Sequence, residues 1–209
     1  MLQQLGEPYD KPFLYVYVIS YTFLLITLLS GYYLNVTQLL AYSSIYLAMI
    51  TVSLTFMRGV ENGKIVEGTV ISIIGLFAVT FIFGFITRNF RIMGTFQLQP
   101  MSLMLLAIPP QTVLQAMMVI PNATAEESFF RIGLYHMLKA VMPKHWAILT
   151  QAILFGIFHY YAYAMNVAGI ITAAAAGTLL GIIYDATGSE FALTFAHTIY
   201  NIVALFGGA

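Results

Sequence analysis

Long apolar stretches separated by short polar turns are the dominant pattern of this chain. Each stretch approaches the roughly 20 residues that an α-helix needs to cross a hydrocarbon core about 30 Å thick. The pattern predicts eight spans: Phe13–Leu34, Gln38–Met57, Gly68–Thr87, Met101–Ile120, Pro121–Met142, Trp146–Met165, Val167–Tyr184 and Phe191–Phe206. We therefore expect an all-α, polytopic transmembrane bundle of about eight helices, because lipid offers no partner to an unpaired backbone group.

Prolines and turn residues mark the expected helix ends. Pro109-Pro110 interrupts the fourth span, and Pro121 is expected to start the fifth helix. Thr124 and Glu127 fit the S/T-x-x-E capping box, which begins helices. The polar residues 185–190 predict a short turn before the eighth span.

Composition fixes the solvent that this chain requires. Of its 209 residues, 60% are apolar and only 8% are charged, whereas soluble domains carry about 25% charged residues. We therefore expect an integral, multi-pass membrane protein with the lipid bilayer as its surroundings. Zero net charge without basic runs argues against a nucleic-acid partner. The absence of cysteine excludes disulfides, thiolate metal sites and a cysteine nucleophile.

The chain shows no internal repeat, linker or second domain. We interpret residues 1–209 as one membrane domain, in which residues 1–120 carry no motif and residues 121–209 form a motif-bearing core. Six polar residues of this core lie inside predicted spans: Glu126, Glu127, Arg131, His159, His197 and Asn201. An ionisable group at membrane depth costs about 2.5 kcal/mol or more, so such groups usually face a cavity and serve function.

The spacing of these residues groups them by helix face. Glu127 and Arg131 are four residues apart, which favours an ion pair. Glu126 lies about 100° round the same helix and is left to point elsewhere. The pairs Phe155/His159 and His197/Asn201 are also four apart. Because successive helices cross in opposite directions, Glu126, His159 and Asn201 are expected within roughly 10 Å of the same membrane face.

Each polar residue taken singly has a structural interpretation. His159 could be a packed histidine bonded to a backbone carbonyl, and His197 with Asn201 could simply join neighbouring helices. Together, however, they are expected at the same membrane depth as two acidic residues and a basic one, and this coincidence favours a shared functional site.

Three short motifs carry a family resemblance. Glu126-Glu127-Ser-Phe-Phe-Arg131 matches EExxxR, Phe155-Gly-Ile-Phe-His159 matches FxxxH, and His197-Thr-Ile-Tyr-Asn201 matches HxxxN. In this order they resemble the CPBP family (CaaX proteases and bacteriocin-processing enzymes, or Abi family), which includes the type II CaaX prenyl endopeptidases.

The resemblance implies an intramembrane glutamate-dependent endopeptidase on an eight-helix bundle, in a prokaryotic cell membrane. Glu126 and His159 would activate a water, and His197 and Asn201 would hold the oxyanion. Glu127, Arg131 and Phe155 would order the site. The implied substrate is a membrane-embedded or lipid-modified, CaaX-like peptide, and no cofactor or metal is expected.

The residues themselves support peptide hydrolysis, which needs a base for water, donors for the oxyanion and an acid for the leaving amine. A metal-dependent version would use Glu126, His159 and His197 as ligands. The non-enzymatic alternative is a binding or immunity protein, or a subunit of a larger membrane complex. A third possible function is a transporter that relays protons, but transporters often contain internal repeats and this chain shows none.

Overall fold

The structure, a computed structural model, describes residues 49, 64–87, 110–160 and 166–207. In these ranges the chain forms α1 (Ile65–Thr87), α2 (Pro110–Glu127), a π-helical segment (Ser128–Leu134), α3 (Tyr135–Lys139), α4 (Lys144–Phe158), α5 (Val167–Thr187) and α6 (Glu190–Gly207). No strand occurs in this part of the chain, which confirms the all-α class. The first two predicted spans and the start of the fourth lie outside the described residues, apart from Met49.

Helix α1 exposes a row of large apolar side chains. Two helical segments, Ile65–Ile86 and Val167–Thr187, are long and apolar enough to cross a membrane. Ser72 and Thr80 of α1 are buried. The exposed side of the same helix carries large apolar residues: Val66, Val70, Ile71, Ile74, Phe81, Ile82, Phe85 and Ile86. Such a surface suits lipid rather than water.

Pro121 lies inside α2, so the predicted boundary between the fourth and fifth spans is wrong. Proline is tolerated within membrane helices, because a break in lipid would leave several backbone groups unpaired. The predicted capping box is wrong for the same reason. Thr124 lies in the helix interior, and its Oγ1 donates to the carbonyl of Ile120 at 2.8 Å instead of capping a helix start.

A π-helical segment separates α2 from α3 within one continuous helical stretch. In a π-helix the backbone N–H bonds five residues back, which widens the turn and changes the direction of the side chains that follow. The segment begins directly after Glu127 and contains the fully buried Arg131. Segments of this kind occur frequently at functional sites, and this one carries part of the EExxxR motif.

Small residues bring α4 and α5 together. The buried residues of α4 recur at helical spacing: Ala147, Ile148, Gln151, Ala152, Phe155 and Gly156. At Gly156, a Cβ atom would lie 2.7 Å from the backbone carbonyl oxygen of Ile170, so only glycine permits this approach. α5 also contacts α1, while α6 packs against both α1 and α2. The helices that carry the three motifs are thereby held in one bundle.

The turn between α5 and α6 is shorter than predicted. Asp185 still belongs to α5, and Glu190 is the first residue of α6, so only Gly188 and Ser189 lie between the helices. Gly188 has φ 65° and its N–H donates to the carbonyl of Tyr184 at 2.7 Å. This left-handed position ends the helix at little cost because glycine lacks a Cβ.

Candidate active site

Glu126 faces the imidazoles of two other helices. Its Oε2 lies 3.5 Å from Nε2 of His159 and 3.9 Å from Nε2 of His197. The side chains are 8%, 15% and 8% exposed, respectively, so the cluster is screened from bulk solvent but not sealed. Three predicted site residues from α2, the end of α4 and α6 are thus brought together.

Glu127 connects the predicted ion pair to the histidine of α6. Its Oε2 lies 3.0 Å from Nε of Arg131, and both side chains are fully buried. Its other oxygen, Oε1, lies 2.8 Å from Nδ1 of His197. The pairing with Arg131 follows from the spacing of the motif, whereas the contact with His197 was not predicted. Glu127 therefore fixes the orientation of the His197 ring as well as compensating a buried cation.

His159 caps α4 instead of lying within a helix. The predicted sixth span runs on to Met165, but α4 ends at Phe158, and residues 161–165 lie outside the described ranges. Nδ1 of His159 lies 2.8 Å from the carbonyl oxygen of Phe155. Because a carbonyl only accepts, Nδ1 must carry the hydrogen, and in the neutral ring Nε2 is then an acceptor. This geometry assigns the tautomer that turns a lone pair toward Glu126.

Phe155 lies among the charged groups of the site. Its buried ring is 4.5 Å from the ring of His159 and 6.2 Å from that of His197, measured between centroids. The guanidinium carbon of Arg131 lies 4.6 Å from its centroid, a distance at which a cation is attracted to an aromatic face. Phe155 thus packs beside His159 and Arg131 and lies near His197.

Asn201 reaches the site from one turn beyond His197. Both residues line a cavity of about 200 Å³ together with His159. The predicted oxyanion donors His197 and Asn201 therefore border the same space as His159, whose Nε2 lies 3.5 Å from Oε2 of Glu126. This arrangement can hold a small polar reactant between an acid, two imidazoles and an amide.

The match to a known family covers the helices that carry these residues. Residues 108–203 match the family model described as "Type II CAAX prenyl endopeptidase Rce1-like". These residues form an Rce1-like domain. No curated protein and no solved structure matches the chain significantly.

The Rce1-like match confirms the resemblance to the CPBP and CaaX protease family. It indicates at family level a membrane protease whose substrates are membrane-associated prenylated peptides. The Rce1-like domain begins just before α2 and ends within α6, so it includes all seven predicted site residues. Helix α1, which packs against α5 and α6, lies outside it.

A third buried acid of the Rce1-like domain escaped the sequence analysis. Glu190 is fully buried, and its Oε1 accepts hydrogen bonds from Ser128 Oγ at 3.1 Å and Thr194 Oγ1 at 2.9 Å. It thereby ties α6 to the π-helical segment beside Glu127. The signal existed, because Glu190 precedes His197 by seven residues and so shares its helix face, but the residue was assigned to an exposed turn.

Glu190→Leu is expected to lower the free energy of unfolding by about 2 kcal/mol, because it removes the oxygen to which both buried hydroxyls donate. Glu190→Gln retains an oxygen that can accept from both and should cost less than half as much. Thermal unfolding of the purified protein in detergent measures the difference. Equal losses in the two variants would contradict this role of the Oε1 atom.

The structure also bears on the metal-dependent alternative. Among the residues that the structure describes, no group of three or more His, Asp or Glu side chains is arranged to hold a metal ion. The oxygen–nitrogen distances of 3.5 and 3.9 Å around Glu126 are longer than the edges of about 3.3 Å expected for a tetrahedral zinc site. The donor atoms would have to move closer together to bind zinc.

Proposed function

We propose that this chain is an intramembrane endopeptidase in which Glu126 activates a water for attack on a peptide bond. The observation that carries the proposal is the position of Glu126, whose side chain is largely buried and whose Oε2 lies within 4 Å of Nε2 of both His159 and His197. The family match to residues 108–203 supports the protease class, and the geometry supports the assignment of roles.

The first half of the reaction forms the tetrahedral intermediate. Glu126 takes one proton from the water, and the lone pair on Nε2 of His159 accepts a hydrogen bond from the same molecule. The resulting hydroxide adds to the scissile carbonyl carbon, and the carbonyl oxygen becomes an oxyanion. Nε2 of His197 and the side-chain amide of Asn201 donate to that oxyanion.

The second half breaks the carbon–nitrogen bond. The proton removed from water passes from Glu126, directly or through Nε2 of His159, to the leaving nitrogen. The amine departs, and the remaining fragment carries the new carboxyl group. No covalent intermediate with the protein is needed, in agreement with the absence of cysteine from the chain. The hydroxyl of Ser128, within the first motif, donates to the carboxyl group of Glu190.

The role of His197 depends on its contact with Glu127. Because Nδ1 donates to Glu127 Oε1, Nε2 carries a hydrogen only when the ring is cationic. We infer that Glu127 orients the His197 ring and stabilises the positive charge that this ring carries when Nε2 donates to the oxyanion, in the way that a buried carboxylate stabilises an imidazolium in serine proteases.

The substrate that we propose is a membrane-embedded or lipid-modified peptide of the CaaX type. The chain would be a multi-pass helical protein of a prokaryotic cell membrane, with residues 1–209 as a single domain. The apolar exposed faces of α1 and α4 support this location, since they present Ile74, Phe85, Trp146 and Ile157 outward.

Hydrolysis of a farnesylated CaaX peptide by the purified protein in lipid nanodiscs tests the proposed function. Mass spectrometry should show two fragments, and in ¹⁸O-labelled water the new carboxyl group should gain one heavy oxygen. An intact peptide across a varied panel, together with unchanged partner binding in alanine variants of the site, would favour a non-catalytic binding or immunity protein.

Removal of metal ions distinguishes the proposed metal-free mechanism from the metal-dependent one. Preincubation with a strong chelator should leave kcat unchanged within about twofold, because Glu126 and the two histidines suffice as base and donors. The measurement is cleavage of the same peptide before and after dialysis against chelator. Loss of activity with recovery on adding zinc would replace the proposed mechanism by one in which Glu126, His159 and His197 bind a metal.

A further inference from the structure

The cavity that His159 and His197 line is also bordered by residues of α1 and α5. Its volume is about 200 Å³, and His159, His197 and Asn201 occupy one side. The other described residues that line it come chiefly from helices without motifs: Leu76, Thr80, Thr172, Ala173, Ala176 and Leu180. α1 therefore contributes a wall to the site although it lies outside the matched residues 108–203.

The hydroxyl groups of Thr80 and Thr172, which line the cavity, have hydrogen-bond partners within the protein. Thr80 Oγ1 lies 2.8 Å from the hydroxyl of Tyr200 and 2.9 Å from the carbonyl oxygen of Leu76. Thr172 Oγ1 donates to the carbonyl of Ala168 at 2.8 Å. Since none of these hydroxyls requires a polar ligand, the wall that they form with leucine and alanine side chains suits an apolar occupant.

The size of the cavity limits what can enter it. A dry protein cavity of about 150 Å³ holds a molecule of benzene, so about 200 Å³ admits one aliphatic side chain beside a peptide group. A farnesyl chain has more than twice the carbon atoms of benzene and does not fit. The volume therefore suits a side chain of the peptide better than its lipid group.

We propose that this cavity is the subsite for a single apolar side chain next to the scissile bond, with Ala176 and Leu76 setting its size limit. The subsite rests on the proposed function, because His159, His197 and Asn201, which line it, belong to the cluster that we assign to catalysis. The bond between Thr80 and Tyr200 holds α1 against α6 directly beside Asn201. Substrate selection is thereby shared between the Rce1-like domain and a helix outside it.

Substitutions that change the cavity volume should change the preference among substrates. Ala176→Leu fills the space and should lower kcat/KM for peptides with leucine beside the scissile bond by about tenfold or more, with little effect on matched alanine peptides. Leu76→Ala enlarges the space and should raise the ratio of phenylalanine to leucine peptides by a similar factor. The peptides that are compared differ first in the residue on one side of the scissile bond and then in the residue on its other side.

Two exposed positions provide matched controls. Ile74→Ala shortens a side chain on the same helix that is 64% exposed, whereas Leu76 is 2% exposed. Ala186→Leu enlarges an exposed alanine of α5. Both should leave the preference within about twofold of wild type. Cleavage that depends on Glu126 but shows the same preference in Ala176→Leu and Leu76→Ala would overturn the subsite while leaving the protease assignment intact.

A labelling experiment tests occupancy without cleavage. Because the chain has no cysteine, Ala176→Cys introduces a single thiol into the cavity, and Ala186→Cys places one on the exposed surface. A non-hydrolysable peptide with leucine at the varied position should slow alkylation of the first thiol at least fivefold and leave the second unchanged. Protection of the first thiol, when the wild-type protein leaves the hydrolysable counterpart of this peptide intact, would indicate an apolar binding pocket and contradict the proposed function. Absence of protection would overturn the subsite.

Discussion

Glu126→Gln is expected to lower kcat by about 10²–10⁴-fold, the contribution usual for a positioned general base. Glutamine has the same shape as glutamate but cannot take a proton from water. KM should change little, because the amide still fits beside Nε2 of His159 and His197. The measurement is single-turnover cleavage of a farnesylated peptide in nanodiscs, which separates the chemical step from substrate entry and product release.

The matched control for this variant is Glu67→Gln on α1. Its side chain is 58% exposed and lies 3.9 Å from Lys64, so the change removes a carboxylate of the same type far from the cavity. We expect unchanged kcat and an unchanged melting temperature for Glu67→Gln. A Glu126→Gln protein that is folded and still cleaves at more than a tenth of the wild-type rate would rule out Glu126 as the base.

The meeting of the motif residues could be predicted because it depends on local periodicity. The helical period places Arg131 one turn after Glu127, and alternating helix directions bring the end of one helix close to the start of the next. In the structure, Glu126, His159 and His197 do lie together. The roles of these residues in catalysis remain predictions that the variants above would test.

Which side chains of the site contact each other depends on how each helix is rotated about its own axis. The periodicity of the sequence does not determine this rotation. The contact of Glu127 with His197 joins residues 70 positions apart, and a π-helical segment begins directly after Glu127. Nothing in the residue types of Ser128–Leu134 distinguishes this segment from an ordinary helix. Similarly, the cavity wall from α1 depends on packing between residues that carry no motif.

Two errors came from treating a proline and a charged residue as markers of helix ends. Pro121 was expected to start a helix, but it lies inside α2, because a membrane helix loses more by breaking than by tolerating a proline. Glu190 was assigned to a polar turn because charged residues usually mark the ends of spans. It is instead fully buried at the first position of α6, where two hydroxyls stabilise its carboxyl group.

Glu127→Gln is expected to lower both stability and activity. It leaves the fully buried guanidinium of Arg131 without its carboxylate partner, a loss of about 3–5 kcal/mol for a broken buried pair. It also removes the carboxylate that contacts Nδ1 of His197. In serine proteases, loss of the carboxylate that bonds the catalytic histidine lowers kcat by about 10⁴-fold, so we expect a fall of up to that size. Thermal unfolding and single-turnover cleavage measure the two effects separately.

The double variant Glu127→Gln with Arg131→Met distinguishes these effects. Both charges are then absent, so no cation is left uncompensated, and stability should return to within about 1 kcal/mol of wild type. Activity should stay low, since His197 still lacks the carboxylate that orients its ring, and KM should remain near the wild-type value. Recovery of kcat together with stability would mean that Glu127 only compensates Arg131 and does not assist His197.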